Sequence, residues 1–237
     1  MATALHLLRA RTFPSLAEGQ IIETFHQIGL QLPGEETDND AHTTLERLGR
    51  AAYHEFDKYL GRHEDLWTVT GRFRGKPFKQ VIVEERFEIF RQRGSGVVLG
   101  KGKRDVVFPA LRRLRDAKMC DVEPVALDLA KLREGLKGKG AHVHGAHFNK
   151  LALAKLTAAA VFGEDVDQSE EFKHYEMAGF NSAAIISANV KGAVQKFMVT
   201  KTGTVVVYEN WDEKDLLDFG EGVEDLTRFA QVPATEQ

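Results

Sequence analysis

Residues 66–90 read LWTVTGRFRGKPFKQVIVEERFEIF. Aromatic and β-branched residues fill both ends of this stretch and Gly75-Lys76-Pro77 interrupts it, which predicts two antiparallel strands closed by a turn. Gly94-Ser95-Gly96 marks a second turn, leading into a short strand at Val97-Val98-Leu99. From Asp105 or Phe108 to Lys118 the spacing becomes helical, with Val107, Ala110, Leu111 and Leu114 on one side and Arg112, Arg113 and Arg115 on the other. Pro109 is expected in the first turn of that helix, where its missing N–H costs least.

Upstream, Ser15-Leu16-Ala17-Glu18 has the spacing of a capping box and predicts a helix to about Gly29, striped by Ile21, Ile22, Phe25 and Ile28. Residues 31–42 are polar, with Pro33 and Gly34, and read as a loop. A second capping box, Thr43-Thr44-Leu45-Glu46, predicts a helix carrying Leu45, Leu48, Ala52, Phe56 and Tyr59 and ended by Gly61 in a left-handed cap. The first 17 residues hold two arginines and no acid, a pattern faintly like a transit peptide. Leu5 and Leu8, three apart, read instead as a short amphipathic helix ending before Pro14.

Downstream the order repeats. Asn149 caps a predicted helix ending at Gly163 and apolar almost all round, strands follow at 180–190 and 193–200, and Thr202-Gly203-Thr204 turns into a strand at 205–208. Asp212 caps a last helix with Leu216, Leu217, Val223 and Leu226 facing inward. Between the halves, 122–127 reads as a strand and 127–136 as a short helix, before a Gly/Lys/His-rich connection. The predicted fold class is α+β: two similar helix, antiparallel-sheet, helix halves, consistent with an internal duplication, behind an N-terminal helical extension. The segments are 1–42 (extension and loop), 43–118 (first half), 119–148 (connection) and 149–237 (second half). In outline this order resembles the duplicated halves of TATA-binding-protein-like domains, although no motif of that family is present.

Net charge varies sharply along the chain. Residues 72–139 hold 18 Lys and Arg against 9 Asp and Glu, whereas 1–71 hold 6 against 11 and 140–237 hold 8 against 15. Such a field bears on partners and association rates. With 43% hydrophobic residues and no apolar run of the roughly 20 residues needed to span a bilayer, the chain reads as an ordinary globular protein with no membrane partner. A single cysteine, Cys120, rules out an intrachain disulfide and suits a reducing, cytoplasmic setting.

The basic segment supplies the candidate nucleic-acid contacts. Arg72, Arg74, Lys76 and Lys79 surround the first turn, Arg91 and Arg93 alternate on the second strand, and Lys101 and Lys103 follow the next one. Cations two strand residues apart, about 7 Å, are placed to follow phosphates, and Phe73, Phe78 or Phe90 would stack on bases wherever exposed. The same charges would equally serve solvation or pairing with acidic residues. Gly94 to Lys103 fails as a phosphate loop on spacing, and its glycines read as surrounding a strand instead of joining a strand to a helix. His142, His144 and His147 lie within six residues, with Cys120 or Glu123 as further candidate ligands. Three clustered histidines fall short of the four ligands of a structural zinc site. Cys120 reads as a small buried hydrophobe, and Asp212, Glu213 and Asp215 as helix-start anions. No catalytic residue, metal or cofactor is therefore assigned. The functional expectation is a non-catalytic nucleic-acid-binding protein. The alternatives are an assembly subunit or homo-oligomer whose basic and acidic halves pair with each other or with an acidic partner, and a metal-assisted hydrolase or nuclease built on the histidines.

Overall fold

The structure, a computed structural model, describes residues 2–27, 40–53 and 55–232. Strand accounts for 53% and helix for 24% of it, most of the strand being antiparallel sheet, with four α-helices among the described residues. The chain divides into two bodies, residues 9–123 and residues 1–8 with 124–237.

The central body, 9–123, begins within β1 (Thr3–Thr12) and continues with β2 (Ile21–Gln27), β3 (Asp40–Arg50), β4 (Phe56–Phe73), β5 (Lys76–Gln92), β6 (Val97–Lys101), α1 (Arg104–Asp116) and the start of β7 (Asp121–Pro124). Strands β2 to β6 lie side by side in chain order, each antiparallel to the next. Helix α1 buries Val106, Val107, Ala110, Leu111 and Leu114. Its Arg113 donates to the Ala41 and Glu64 carbonyls at 3.3 and 3.0 Å and to Thr43 Oγ1 at 3.2 Å, tying the helix to β3 and β4. Pro109 stands in the second turn of α1, one turn later than expected.

Both capping boxes fail. Residues 15–20 form a loop in which the Gln20 side chain accepts from Ala17 N–H at 2.9 Å, and the apolar stripe after it is strand β2. Thr43 is buried within β3, and Gly61 lies mid-strand facing Phe87. The amphipathic segment at the N-terminus is strand β1, with Leu5, His6, Leu7 and Leu8 all buried. The end of the first predicted helix and most of the 31–42 loop lie outside the described residues.

The terminal body contains β8 (Ala126–Leu127), α2 (Leu129–Lys137), β9 (His142–Leu153), β10 (Leu156–Phe162), a 3-10 turn (Val166–Gln168), α3 (Glu170–Ala178), β11 (Phe180–Val190), β12 (Ala193–Thr200), β13 (Thr204–Val207), α4 (Glu213–Thr227) and β14 (Gln231–Val232). Its main sheet runs β10-β9-β11-β12-β13 and takes in β1 through pairs such as Leu5 with Val205. The helix expected over 149–163 is instead a hairpin that turns at Ala154-Lys155. Alanine-rich sequence favours helix by only tenths of a kcal/mol per residue. Burying one large side chain is worth roughly 1.5–3 kcal/mol, and Val143, Ala146, Phe148 and Leu151 of β9 form a buried cluster with Phe172 of α3.

The balanced α+β reading is thereby overturned, since the segments meant to lead each half as helices are strands. The outlined resemblance to duplicated TATA-binding-protein-like halves falls with it. The hairpin over 66–90, the strand after Gly96, the bounds of β11 and β12, and α4 with Asp212 accepting from Asp215 N–H at 2.8 Å are as expected. Helix α3, capped by Ser169, has no counterpart in the sequence reading. No helix among the described residues is long and apolar enough to cross a membrane.

Candidate nucleic-acid interface

Strands β4 and β5 pair from Phe56 with Gln92 out to Phe73 with Lys76, far beyond the reach of their neighbours. The pairs of β3 with β4 stop at His63 and those of β6 with β5 at Glu88. Among the described residues the outer part of the hairpin is therefore a two-stranded ribbon. From Leu66, paired with Ile82, to the turn it measures roughly 25 Å at about 3.3 Å per residue. Near its base, Leu66 and Ile82 pack against Ala41. One extra residue of β4 between Thr68 and Gly71 makes a bulge, a feature that increases local twist.

The turn has two central residues, Arg74 at φ 48° and Gly75 at φ 80°. Positive φ at both positions is the hairpin geometry that matches the twist of the flanking strands. Glycine adopts it freely, and Arg74 holds it at some cost.

Residues 66–83 contain Arg72, Arg74, Lys76 and Lys79 and no Asp or Glu. Arg72, Arg74 and Lys79 are exposed, as is Trp67 at 44%; the side chains of Phe73, Lys76 and Phe78 lie outside the described set. Acidic residues gather where the ribbon leaves the sheet: Glu64 stands opposite Glu84, with Asp65 and Glu85 alongside. Positive charge thus gathers on the outer ribbon and carboxylates at its base.

The other four candidate contacts are placed elsewhere. Arg91 lies some 15 residues along β4 from Arg72, roughly 50 Å away. Its guanidinium sits over the Phe13 ring, 5.2 Å from the centroid. Arg93, exposed, follows β5 at the same end. Lys101 Nζ bonds Glu88 Oε2 at 2.7 Å, and Lys58 reaches the other oxygen of the same carboxylate at 2.5 Å. Burial alone would raise the Glu88 pKa, but the hydrogen bonds from Lys101 and Lys58 outweigh it and hold it below the usual carboxylate value. Lys103 is paired with Glu85, which raises its pKa, and lies 5.8 Å from the Trp67 ring. The eight residues thus form one cluster of four on the ribbon and a second set whose Lys101 and Lys103 are already engaged. The acid-free run 66–83 was legible in the sequence; the separation was not, because it depends on which strands stop pairing first.

The phosphate-loop segment contains β6, and Gly102 does join that strand to α1, contrary to the sequence reading. A Cβ there would lie 3.0 Å from Phe87 Cβ and 3.2 Å from Val107, so close packing accounts for the glycine. Phe90 is buried and cannot stack on a base.

The histidines do not converge. His142 Nδ1 lies 2.9 Å from Asp165 Oδ1 and His144 Nε2 lies 2.8 Å from Ser187 Oγ, whereas the His147 ring meets Phe162 edge-on at 5.6 Å. His147 pairs with Ala183, four residues along β11 from Ser187, or about 13 Å. Among the described residues no group of three His, Cys, Asp or Glu side chains is placed to hold a metal ion. His142 and Asp165 border a cleft of about 340 Å³ shared with Arg133, Lys137 and Asp167. There Lys137 Nζ stands 3.1 Å from the buried Asp167 carboxylate, and Arg133 bonds Glu176 at 2.8 Å and lies over Phe172. Those charges are spent tying α2 to the 3-10 turn and α3. Burial first, and Asp121 second, push the Cys120 thiol up to about 11, far from a reactive thiolate. No family model matches this chain, and no curated protein matches its sequence.

Proposed function

We propose that this protein binds nucleic acid without catalysis, using the ribbon of residues 66–83 as a basic arm. The observation that carries the reading is four cations and no carboxylate on an exposed two-stranded ribbon with an acidic base. A ribbon of this width fits the roughly 12 Å major groove of duplex DNA, and Trp67 offers a stacking face toward an unpaired base. Phosphates supply the affinity, and sequence preference is slight, since the contacts are Arg and Lys on a strand pair and not on a recognition helix. A cytoplasmic setting belongs to the same proposal, on the strength of one buried thiol.

Fluorescence anisotropy with single- and double-stranded DNA and RNA at several salt concentrations tests it. Each duplex phosphate contact contributes roughly 0.9 to the slope of log affinity against log salt, so four contacts imply a fall of about two decades between about 50 and 200 mM. Arg72→Glu with Lys79→Glu is expected to weaken every sequence alike and flatten that slope, while Lys101→Gln, away from the arm, leaves it unchanged. Absence of binding at about 50 mM salt and micromolar protein overturns the reading and favours an acidic protein surface as the arm's partner.

A further inference from the structure

Strand β10 is the outermost strand of the terminal body's main sheet. It pairs with β9 on one side, and among the described residues no strand pairs with its other side. Its sequence is Leu156-Thr157-Ala158-Ala159-Ala160-Val161-Phe162, without charge, proline or glycine. Leu156 is 37% and Phe162 64% exposed, and Thr157, Ala158 and Ala160 are exposed between them. Sheet edges in monomeric proteins are usually blunted by lysine, proline, bulges or brevity. Here the one irregularity falls beside the turn, between Leu156 and Ala158, and leaves Ala158–Phe162 in regular pairing with β9. The edge strand of the central body, β2, carries Glu23 and His26.

The occupant is identified by the order of the residues. About Ala159 the strand is palindromic in chemistry: alanine stands at 158 and 160, the isosteric β-branched Thr157 and Val161 lie one step further out, and the large apolar Leu156 and Phe162 close the two ends. Placed antiparallel to a second copy across a two-fold axis, Ala159 meets its own counterpart, Ala158 meets Ala160, Thr157 meets Val161 and Leu156 meets Phe162. Each opposed pair is matched in size and character, and no charge faces a like charge. Two-fold interfaces demand this kind of self-complementarity, which a strand adapted to a foreign partner does not need. Ala159 and Val161 face the α3 side, where they pack against the cluster of Phe148 and Phe172. The opposite face carries Phe162, whose ring would meet a Cβ placed on Gly145 at 2.8 Å, so the ring lies across the neighbouring strand.

We infer that this chain forms a two-fold dimer by antiparallel pairing of β10 with β10 of a second copy, centred on Ala159, so that the sheet continues from one protomer into its partner. The pairing is independent of the basic arm and of nucleic acid. Because it uses backbone hydrogen bonds and apolar side chains, it resists salt, unlike an association of oppositely charged halves.

Sedimentation equilibrium of the full chain, from about 1 to 100 μM and at about 50 and 500 mM salt, is expected to show a species of twice the 26.5 kDa chain mass at both salt concentrations. Ala158→Lys with Ala160→Lys sets lysine against lysine twice across the axis and should weaken association at least about tenfold, with circular dichroism unchanged. Ala158→Glu with Ala160→Lys sets the carboxylate introduced at 158 against the lysine introduced at 160 in the other copy and should restore the dimer. A monomeric wild-type chain, a dimer that dissociates at high salt, or a double-lysine variant that dimerises as well as wild type would each overturn the proposal. So would a Glu/Lys variant that stays monomeric, which rules out the two-fold register, or a dimer abolished by changing Phe25 of β2 instead.

Discussion

Thr43 Oγ1 lies 2.8 Å from His63 Nδ1, joining β3 to β4 beneath α1 in a pocket where both residues are buried. Arg113 donates to the same hydroxyl, so Thr43 links the imidazole to α1. Among the described residues no hydrogen-bond partner meets Nε2. Burial, and secondly the Arg113 charge, lower the His63 pKa from 6.5 to about 4.

That shift gives a pH dependence of known sign. Above about pH 6.5 the imidazole is neutral in both folded and unfolded chains and contributes no pH dependence. As pH falls, the unfolded chain takes up the proton first, so stability declines between about 6.5 and 4, by roughly 3 kcal/mol in full. His63→Gln should remove this component, leaving urea midpoints that fall less steeply between about pH 7 and 5 than those of wild type. Parallel curves for the two proteins would show that the folded imidazole protonates normally.

Gly61 faces Phe87 across β4 and β5, and a Cβ at Gly61 would lie 2.1 Å from Phe87 Cζ. The ring covers the glycine on the buried face. Gly61→Ala should therefore destabilise the central body by about 1–3 kcal/mol, the usual cost of overpacking. Adding Phe87→Leu should recover part of the loss, as denaturant titration of the single and double variants can show. A fully additive pair would mean that the two positions do not share the space.

At the ribbon tip, Arg74 holds a positive φ that asparagine tolerates better. Arg74→Asn should leave the melting temperature equal or slightly higher while lowering the salt slope of nucleic-acid binding by about 0.9, one contact. Gly75→Ala keeps every charge, and nothing lies within 4 Å of the new Cβ, so its cost of roughly 1 kcal/mol is one of backbone strain alone. It should weaken binding without changing the slope. If Gly75→Ala changes the slope and Arg74→Asn does not, the tip does not contact phosphate.

Where an element could be read from chemistry within a few residues, the sequence by itself determined it. Gly75 and Gly96 marked turns, Asp212 marked a cap, apolar and β-branched residues marked β11 and β12 to the residue, and Arg72, Arg74, Lys76 and Lys79 were placed around the hairpin turn. Tertiary structure decided the segments with two local readings. Thr43-Thr44-Leu45-Glu46 satisfies a capping box and equally a strand that buries Thr43 and Leu45, and Leu151–Phe162 satisfies an apolar helix and equally a hairpin. Helix propensity separates such readings by tenths of a kcal/mol per residue, less than the hydrogen bonds to Thr43 or the packing of Phe148 on Phe172 bring once the partner strands and helices are in place. The partition of the basic residues was decided at the same level. Whether a lysine is available to a phosphate depends on whether a carboxylate comes within its reach, as Glu88 does opposite Lys101 on the neighbouring strand and Glu85 does beside Lys103 ahead of α1, and such proximity is a property of the folded chain.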